Sequence, residues 1–131
     1  KRLSHLVIDD EYDIVDCNRL KSKPNNMKTI NYIGNKVFSF LASIFFLKNI
    51  PDLHSGMRAY KNFTLRKINY DSLGPSLPVE LLLAFYKRKL NVMTVDIDYF
   101  ERIGSSKMLP FETSIWTIKR IFKVRFEKVN N

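Results

Sequence analysis

The residue types with the most potential for chemistry lie together in DLHSGMRAY, the stretch from Asp52 to Tyr60. Its first seven residues contain a carboxylate, an imidazole, a hydroxyl, a glycine and a guanidinium. The pairing of His54 with Ser55 suggests nucleophilic catalysis, but neighbours in one loop rarely adopt the geometry of a triad. The other interpretation is a polar turn in which Asp52 accepts backbone N–H bonds and Gly56 supplies a positive φ. Taken alone, the residues favour the turn.

A second cluster, RIGSSK, runs from Arg102 to Lys107. Glycine and serine between two cations can form a nest of backbone N–H groups that binds phosphate oxygens with charge-assisted hydrogen bonds. The glycine spacing differs from that of a Walker loop. A phosphate-binding loop and an ordinary solvated basic turn are equal alternatives. A zinc site is not indicated, because His5, Cys17 and His54 lack the spacing of ligands.

The last predicted helix, residues 111–126, combines apolar side chains with four cations in FETSIWTIKRIFKVRF. An amphipathic basic helix of this kind can lie on an anionic membrane with Trp116 at headgroup level. It can equally close the core with one face and expose its lysines. The apolar run from Val37 to Leu47 adds weight to a membrane-facing surface. That run is too short to cross a bilayer, which requires about 20 apolar residues.

Composition and charge narrow the class of protein. A chain of 131 residues, 45% of them hydrophobic, predicts a single domain over 1–131 with one core. The net charge of +9 indicates an anionic partner, such as nucleic acid, acidic lipid or a phosphorylated substrate. A single cysteine, and the lack of a signal-peptide pattern in KRLSHLVIDD, favour a cytoplasmic location.

Hydrophobic periodicity and turn residues predict alternating helices and strands, which favour an α/β fold with a mixed sheet. Pro51 is expected to end the long apolar helix, and Pro78 to lie in the first turn of a later one. Asn62 is the expected cap of a short helix, and Asn91 is the expected left-handed residue after the next helix. The predicted strands cover 12–17, 57–61 and 92–100, and the helices before the last one cover 3–8, 27–48, 63–68 and 79–89.

Four segments, in order, resemble the C-terminal half of family 2 glycosyltransferases, and in particular polyprenyl-phosphate sugar transferases of the dolichol-phosphate mannose synthase type. YDIVDCNRL resembles the strand that ends in the family's Gly-Ser-Arg turn, which here is Cys17, Asn18 and Arg19. IGNKVFSFLASIFFLKNIPDLHSGMRAY resembles the Gly-Asn helix and the Asp-x-x-Ser-Gly-x-Arg loop. LPVELLLAFYKRKLNV resembles the acidic acceptor-side helix, and VDIDYFERIGSSKM resembles the final strand with its Arg-x-Gly-x-Ser-Lys loop.

The resemblance implies a GT-A (Rossmann-like) fold, a mixed sheet flanked by helices. It implies an inverting transfer of sugar from a nucleotide-sugar donor to an acceptor, a polyprenyl phosphate or a cell-envelope glycan precursor. The family's donor-binding half, with its Asp-X-Asp motif, has no counterpart here, so the resemblance implies a fragment. A divalent metal, Mg or Mn, is expected for the complete enzyme, with ligands outside this chain. Peripheral contact with the cytoplasmic face of a membrane is implied, no nucleic-acid partner is expected, and the oligomeric state stays open.

Matching motif positions give the site residues that the resemblance implies. Arg19 and Arg58 would line the site, and Asp52 would orient partners in it. Glu80 occupies the place of the acid that deprotonates an alcohol acceptor. A phosphate acceptor is already ionised, so Glu80 would then only position Arg58 or the acceptor. The predicted catalytic residues are Asp52, Arg58 and Glu80, and the predicted substrate- and phosphate-binding residues are Arg19, Ser55, Gly56, Arg102, Ser106 and Lys107.

Two other functions are compatible with the basic composition. A nucleic-acid-binding module would show strong, salt-dependent affinity for duplexes or single strands, although the cations are not interleaved with exposed aromatics in a known reading motif. A non-catalytic interaction domain is the other alternative, and complementation by a separate N-terminal half would argue against it.

Overall fold

A computed structural model describes residues 11–25, 27–71, 75–98 and 110–128. Within these ranges the chain is an α/β fold in which a three-stranded mixed sheet packs with helices, which confirms the predicted fold class. The strands are β1 (Ile14–Asn18), β2 (Arg58–Tyr60) and β3 (Val92–Asp96), and the helices are α1 (Thr29–Phe46), α2 (Asn62–Leu65), α3 (Leu77–Lys87) and α4 (Pro110–Phe126). The predicted helix over 3–8 and the loop with Arg102, Ser106 and Lys107 lie outside the described residues.

The central strand of the sheet is β1, which pairs antiparallel with β2 and parallel with β3. All five residues of β1 are buried, including Asp16 and Asn18. Burial of these two polar side chains requires hydrogen-bonding partners inside the protein. Because β1 and β3 are parallel and in register, their carboxyl ends, Asn18 and Asp96, meet at the same edge of the sheet.

Helix α3 lies in the middle of the core, and each residue from Val79 to Phe85 is buried. The Phe85 ring lies 5.8 Å from the ring of Tyr60 in β2, measured between centroids. On its other sides α3 contacts α1 and α4. Those two helices contact each other through Phe45 and Phe122, whose ring centroids are 5.2 Å apart. The sheet, α1 and α4 therefore enclose α3.

Two helix ends differ from the prediction. Helix α1 ends at Phe46, before Pro51, the residue that was predicted to end it. Leu47 adopts a left-handed φ of 51°, and its backbone N–H closes the last turn. After α3 the left-handed residue is Lys89, with φ of 56°, so the predicted role of Asn91 is wrong. At both ends backbone N–H groups reach back to carbonyls of the last turn, as in a Schellman motif.

Of the two predicted helix starts, one is confirmed and one is wrong. Pro78 lies in the first turn of α3, as predicted. The prediction for Asn62 is wrong, because Asn62 is the first residue of α2 and its amide oxygen accepts a hydrogen bond from Arg66 Nε (3.1 Å). The start of α2 is held instead by Thr64, whose hydroxyl donates to an Asp13 carboxylate oxygen (2.8 Å).

Candidate functional site

Asp52 and Arg19 form a bidentate pair at the end of β1. The Asp52 carboxylate is fully buried and accepts bonds from Arg19 Nε (2.7 Å), Arg19 Nη2 (2.9 Å) and the Arg19 backbone N–H (3.1 Å). Two parallel N–H···O bonds fix the plane of a guanidinium as well as its position. Asp52 does accept a backbone N–H, but from Arg19, 33 positions earlier, and not from the turn in which the sequence analysis placed it. The structure brings these two predicted site residues together.

Asn18 shapes the turn between β1 and Arg19. Its amide oxygen accepts the backbone N–H of Leu20 (2.9 Å), and its amide nitrogen donates to Asp96 (2.7 Å) at the end of β3. An asparagine that accepts the N–H two residues later closes an Asx-turn. The Asn18 side chain thus closes the turn at the position where the family has the serine of Gly-Ser-Arg.

A groove of about 770 Å³ opens beside this turn, and we call it the strand-end groove. Its lining includes Arg19, Lys21 and Lys23 from the loop after β1, and Asp96 and Asp98 from the end of β3. Lys21 Nζ lies 2.9 Å from an Asp96 carboxylate oxygen, and this hydrogen bond lowers the pKa of Asp96. Ligands of open α/β sheets bind outside the carboxyl ends of parallel strands. The strand-end groove occupies that place.

Ser55 and Gly56 continue the loop after Asp52. Ser55 is fully buried, and its backbone N–H donates to the Asp52 carbonyl (3.4 Å). Among the described residues, Ser55 Oγ has no hydrogen-bond partner. The predicted positive φ of Gly56 is wrong, since this exposed glycine does not adopt that conformation and a Cβ there would meet no atom within 4 Å. The turn is closed by hydrogen bonds of its neighbours and does not need a left-handed residue.

Arg58 holds the same loop from the inside. It lies opposite Asp16 in the β1–β2 register, and its Nε is 2.5 Å from Asp16 Oδ1. Its other nitrogens donate to the carbonyls of Leu53 (3.0 Å) and Pro78. The Arg58 side chain is 1% exposed, so it supports the loop rather than facing solvent in the groove. Burial raises the pKa of Asp16, and the Arg58 charge opposes that rise.

Glu80 lies in a different cluster, between α3 and α4. Its buried carboxylate contacts the buried guanidinium of Arg120 and accepts a bond from Lys123 Nζ (2.8 Å). It also accepts the backbone N–H of Asp71 (3.1 Å). The expectation that Glu80 positions Arg58 is not met, because the two cations that Glu80 contacts both belong to α4. Its role in the reaction stays a prediction.

His54 connects the loop to α4. Its Nε2 lies 2.8 Å from Thr117 Oγ1, and its ring packs edge-on against Phe38 (5.5 Å between centroids). The Thr117 hydroxyl donates to the Thr113 carbonyl (2.8 Å), so its oxygen accepts from a protonated Nε2. Burial lowers the pKa of His54 to about 4, outweighing the Asp52 charge that would raise it. The ring is therefore neutral at pH 7.

The depressed pKa of His54 predicts a stability that falls in mild acid. The unfolded histidine takes up a proton near pH 6.5, whereas the folded one stays neutral until about pH 4. Stability from this group is thus fully present above about pH 7 and is lost as the pH falls toward 4. Between pH 7 and 5 we expect a loss of about 2 kcal/mol that is absent in His54→Gln. Asp16 changes stability in the opposite sense.

Urea unfolding of both proteins at the two pH values isolates the contribution of His54, because the Asp16 contribution is common to both. Equal losses of stability in the wild type and in His54→Gln would contradict a neutral, buried imidazole.

A search of curated proteins finds a relative that matches most of this chain. A dolichyl-phosphate hexose transferase from Haloferax volcanii is 34% identical over 122 residues. The match covers 93% of this chain and 53% of the relative. The resemblance seen in the sequence is confirmed. The chain spans about half the length of the relative that it matches. No family model matches the chain, and no solved structure matches it.

Several structural partners of the site were missed by the sequence analysis. Asp16, Asn18 and Thr117 each bond a residue at least 42 positions away, which local patterns do not reveal. One signal was present, because Asp16 and Asn18 are polar residues on one face of an apolar strand, which indicates a buried polar network. Among the described residues, no group of three His, Cys, Asp or Glu side chains lies close enough to hold a metal ion.

Proposed function

We propose that this chain forms the acceptor-side part of a glycosyltransferase that transfers a sugar from a nucleotide-sugar donor to a lipid phosphate. The observation that carries the proposal is the Arg19 guanidinium, fixed by Asp52 at the rim of the strand-end groove. A held guanidinium matches the oxygens of a phosphate with two parallel hydrogen bonds. The name of the Haloferax relative, a dolichyl-phosphate transferase, supports the same acceptor class.

In the proposed reaction an acceptor phosphate oxygen attacks the anomeric carbon of the sugar. The new carbon–oxygen bond forms as the bond to the nucleoside diphosphate breaks on the opposite face, which inverts the centre. A phosphate is ionised at neutral pH, so no base has to remove a proton. Arg19 would hold the acceptor phosphate and Asp52 would orient Arg19. Arg102, Ser106 and Lys107 would bind acceptor or departing diphosphate oxygens.

The donor side of the reaction is proposed to lie outside this chain. A divalent ion, Mg or Mn, would neutralise the departing diphosphate when bound to the complete enzyme. Asp96 does not fit as a ligand, since it is engaged by Lys21 and Asn18. The residues described here would bind and orient the acceptor.

Two exposed apolar stripes support peripheral contact with a membrane. Side chains on α1 and just after it, spaced three or four residues apart, are between 49% and 84% exposed: Ile30, Ile33, Val37, Phe40, Ile44 and Leu47. Those on α4 are between 40% and 78% exposed: Phe111, Ile115, Ile118, Phe122 and Phe126. Lys36 and Lys119 supply positive charge on these helices, and α1 carries no acidic residue. Apolar surface with cations fits an anionic lipid surface, and we place it on the cytoplasmic face.

No helix within the described ranges is long and apolar enough to span a bilayer. The amphipathic stripes therefore provide the membrane contact in this proposal. They would bring the strand-end groove to a phosphate at the headgroup level.

The test measures binding to vesicles with and without polyprenyl phosphate at equal total negative charge. Arg19→Ala is expected to weaken phosphate-dependent binding at least about tenfold, because charge-assisted hydrogen bonds contribute about 1.5–3 kcal/mol. Arg102→Ala with Lys107→Ala is expected to weaken it as well. Arg66→Ala is the matched control, since it removes the same charge from an exposed position outside the groove.

Wild-type binding that does not distinguish the two kinds of vesicle would overturn the proposed acceptor. Equal losses in Arg19→Ala and in the Arg66→Ala control would show that only net charge matters. Strong, salt-dependent binding to nucleic acid in its place would favour the alternative of a nucleic-acid-binding module.

A further inference from the structure

The loop that carries Asp52 is fastened to both helices that bear apolar stripes. On the α1 side, the buried hydroxyl of Ser39 accepts the backbone N–H of Leu53 (2.9 Å). On the α4 side, His54 bonds the fully buried Thr117 (2.8 Å). The two contacts involve Leu53 and His54, the two residues that directly follow Asp52. A movement of either helix would therefore be transmitted to the carboxylate that holds Arg19.

Thr117 also connects α4 to the start of α3. Its hydroxyl lies 3.1 Å from the hydroxyl of Ser76, the residue that precedes α3. In the first turn of α3, the Pro78 carbonyl accepts a bond from Arg58, at the other end of the loop. Thr117 thus joins three parts: the loop through His54, α4 through its own backbone, and α3 through Ser76.

Helix α4 has two faces with different partners. Thr117 and Arg120 point inward and are buried, whereas Phe111, Ile118 and Phe122 are exposed. The outward face is the one proposed above to contact lipid. A helix with apolar side chains on one side and a hydrogen bond to the site on the other can link the two.

We propose that the His54–Thr117 hydrogen bond is a positioning contact that couples the seating of α4 to the Arg19–Asp52 pair. Phosphate binding in the strand-end groove would then depend on α4, although α4 contributes no residue to the described lining of that groove. This inference rests on the proposed function, because it assumes that Arg19 binds an acceptor phosphate. His54 and Thr117 act through Asp52 and do not touch the acceptor.

The test uses Thr117→Val and His54→Leu, which remove the hydrogen bond from either side. Each is expected to weaken binding to polyprenyl-phosphate vesicles about tenfold, the equivalent of one buried hydrogen bond. Binding to charge-matched vesicles without polyprenyl phosphate should not change, since the apolar stripes are intact. The double variant should bind no more weakly than Thr117→Val alone, because Thr117→Val already removes the hydrogen bond to His54.

Two conservative variants and one control separate positioning from general stability. Thr117→Ser keeps the hydroxyl and His54→Gln keeps an N–H donor, so both should bind within about twofold of the wild type. Lys87→Met removes bonds from Lys87 Nζ to carbonyls at the other end of α4, at Val124 (2.5 Å) and Arg125 (3.2 Å), without touching the loop. It should lower stability and leave phosphate-dependent binding unchanged.

The outcomes distinguish the inference from the function on which it rests. If the wild type prefers polyprenyl-phosphate vesicles and Thr117→Val does so equally, only the coupling is overturned. Equal weakening on both kinds of vesicle, or failure of Thr117→Ser to bind like the wild type, also overturns it. If the wild type shows no preference, the acceptor assignment and the coupling both fail. Urea unfolding of each variant confirms that it is folded before binding is measured.

Discussion

Arg58→Met is expected to lower the free energy of unfolding by about 3–5 kcal/mol, the usual effect of removing one partner from a buried ion pair. Methionine fills similar space but donates no hydrogen bond. The Asp16 carboxylate would remain in the interior without its cation, and the Leu53 and Pro78 carbonyls would lose their donors. Urea unfolding at pH 8 measures the loss.

The pH dependence of this loss has a defined sign. Burial already raises the pKa of Asp16, and removal of the Arg58 charge should raise it further. A carboxyl whose folded pKa lies above its unfolded value binds protons preferentially in the folded state, so stability rises as the pH falls. The deficit of Arg58→Met should therefore be smaller at pH 5 than at pH 8.

A surface ion pair provides the control for Arg58. Lys21→Ala breaks the pair with Asp96, in which the two side chains are 73% and 44% exposed. Exposed pairs contribute about 0–1 kcal/mol, so this variant should unfold almost like the wild type. If Arg58→Met and Lys21→Ala lost the same small amount, the Asp16–Arg58 pair would not support the loop.

The loop DLHSGMRAY shows how far local sequence rules reach. They predicted a polar turn in which Asp52 accepts a backbone N–H, but the N–H that its carboxylate accepts belongs to Arg19, outside the turn (3.1 Å). They did not identify the guanidinium that completes the pair, since Arg19 lies 33 positions earlier in the chain. Local rules also did not predict that Asp16 lies opposite Arg58 in the sheet, because register depends on which strands become neighbours.

The elements themselves were easier to predict than their ends. Apolar periodicity and Pro78 gave the position of α3, because both act over one or two turns. The residue type did not predict which residue closes α3. Lysine has no preference for the left-handed conformation that Lys89 adopts. Just after it, the partly buried Leu90 packs against the core, and its backbone N–H bonds the Phe85 carbonyl in the last turn of α3 (3.1 Å). Tertiary packing therefore overrode the preference of Asn91.

For Glu80, the function that the resemblance implies and the contacts in the structure differ. The resemblance places an acid here that deprotonates an alcohol acceptor, yet the structure engages Glu80 with Arg120 and Lys123. Both of these cations belong to α4, so the contacts of the Glu80 carboxylate lie between α3 and α4. The arrangement suits a residue that joins α3 to α4 and so keeps α4 in place over the His54 contact.

Glu80→Ala is expected to lower the free energy of unfolding by about 3–5 kcal/mol, because it removes the buried carboxylate that Arg120 contacts, whereas the carboxylate of Asp71 is more distant (3.7 Å) and partly exposed. Lys123→Met is the control, since this cation is 40% exposed and its removal should cost about 1 kcal/mol or less. Combining Glu80→Leu with Arg120→Leu should restore much of the stability, as both buried charges are then gone. Glu80→Gln keeps the shape and removes the charge. If Glu80→Gln retained wild-type stability while transfer by the complete enzyme ceased, Glu80 would be the base that the resemblance implies. A loss of stability together with weaker phosphate-dependent binding would establish it as the link that keeps α4 in place over the His54 contact.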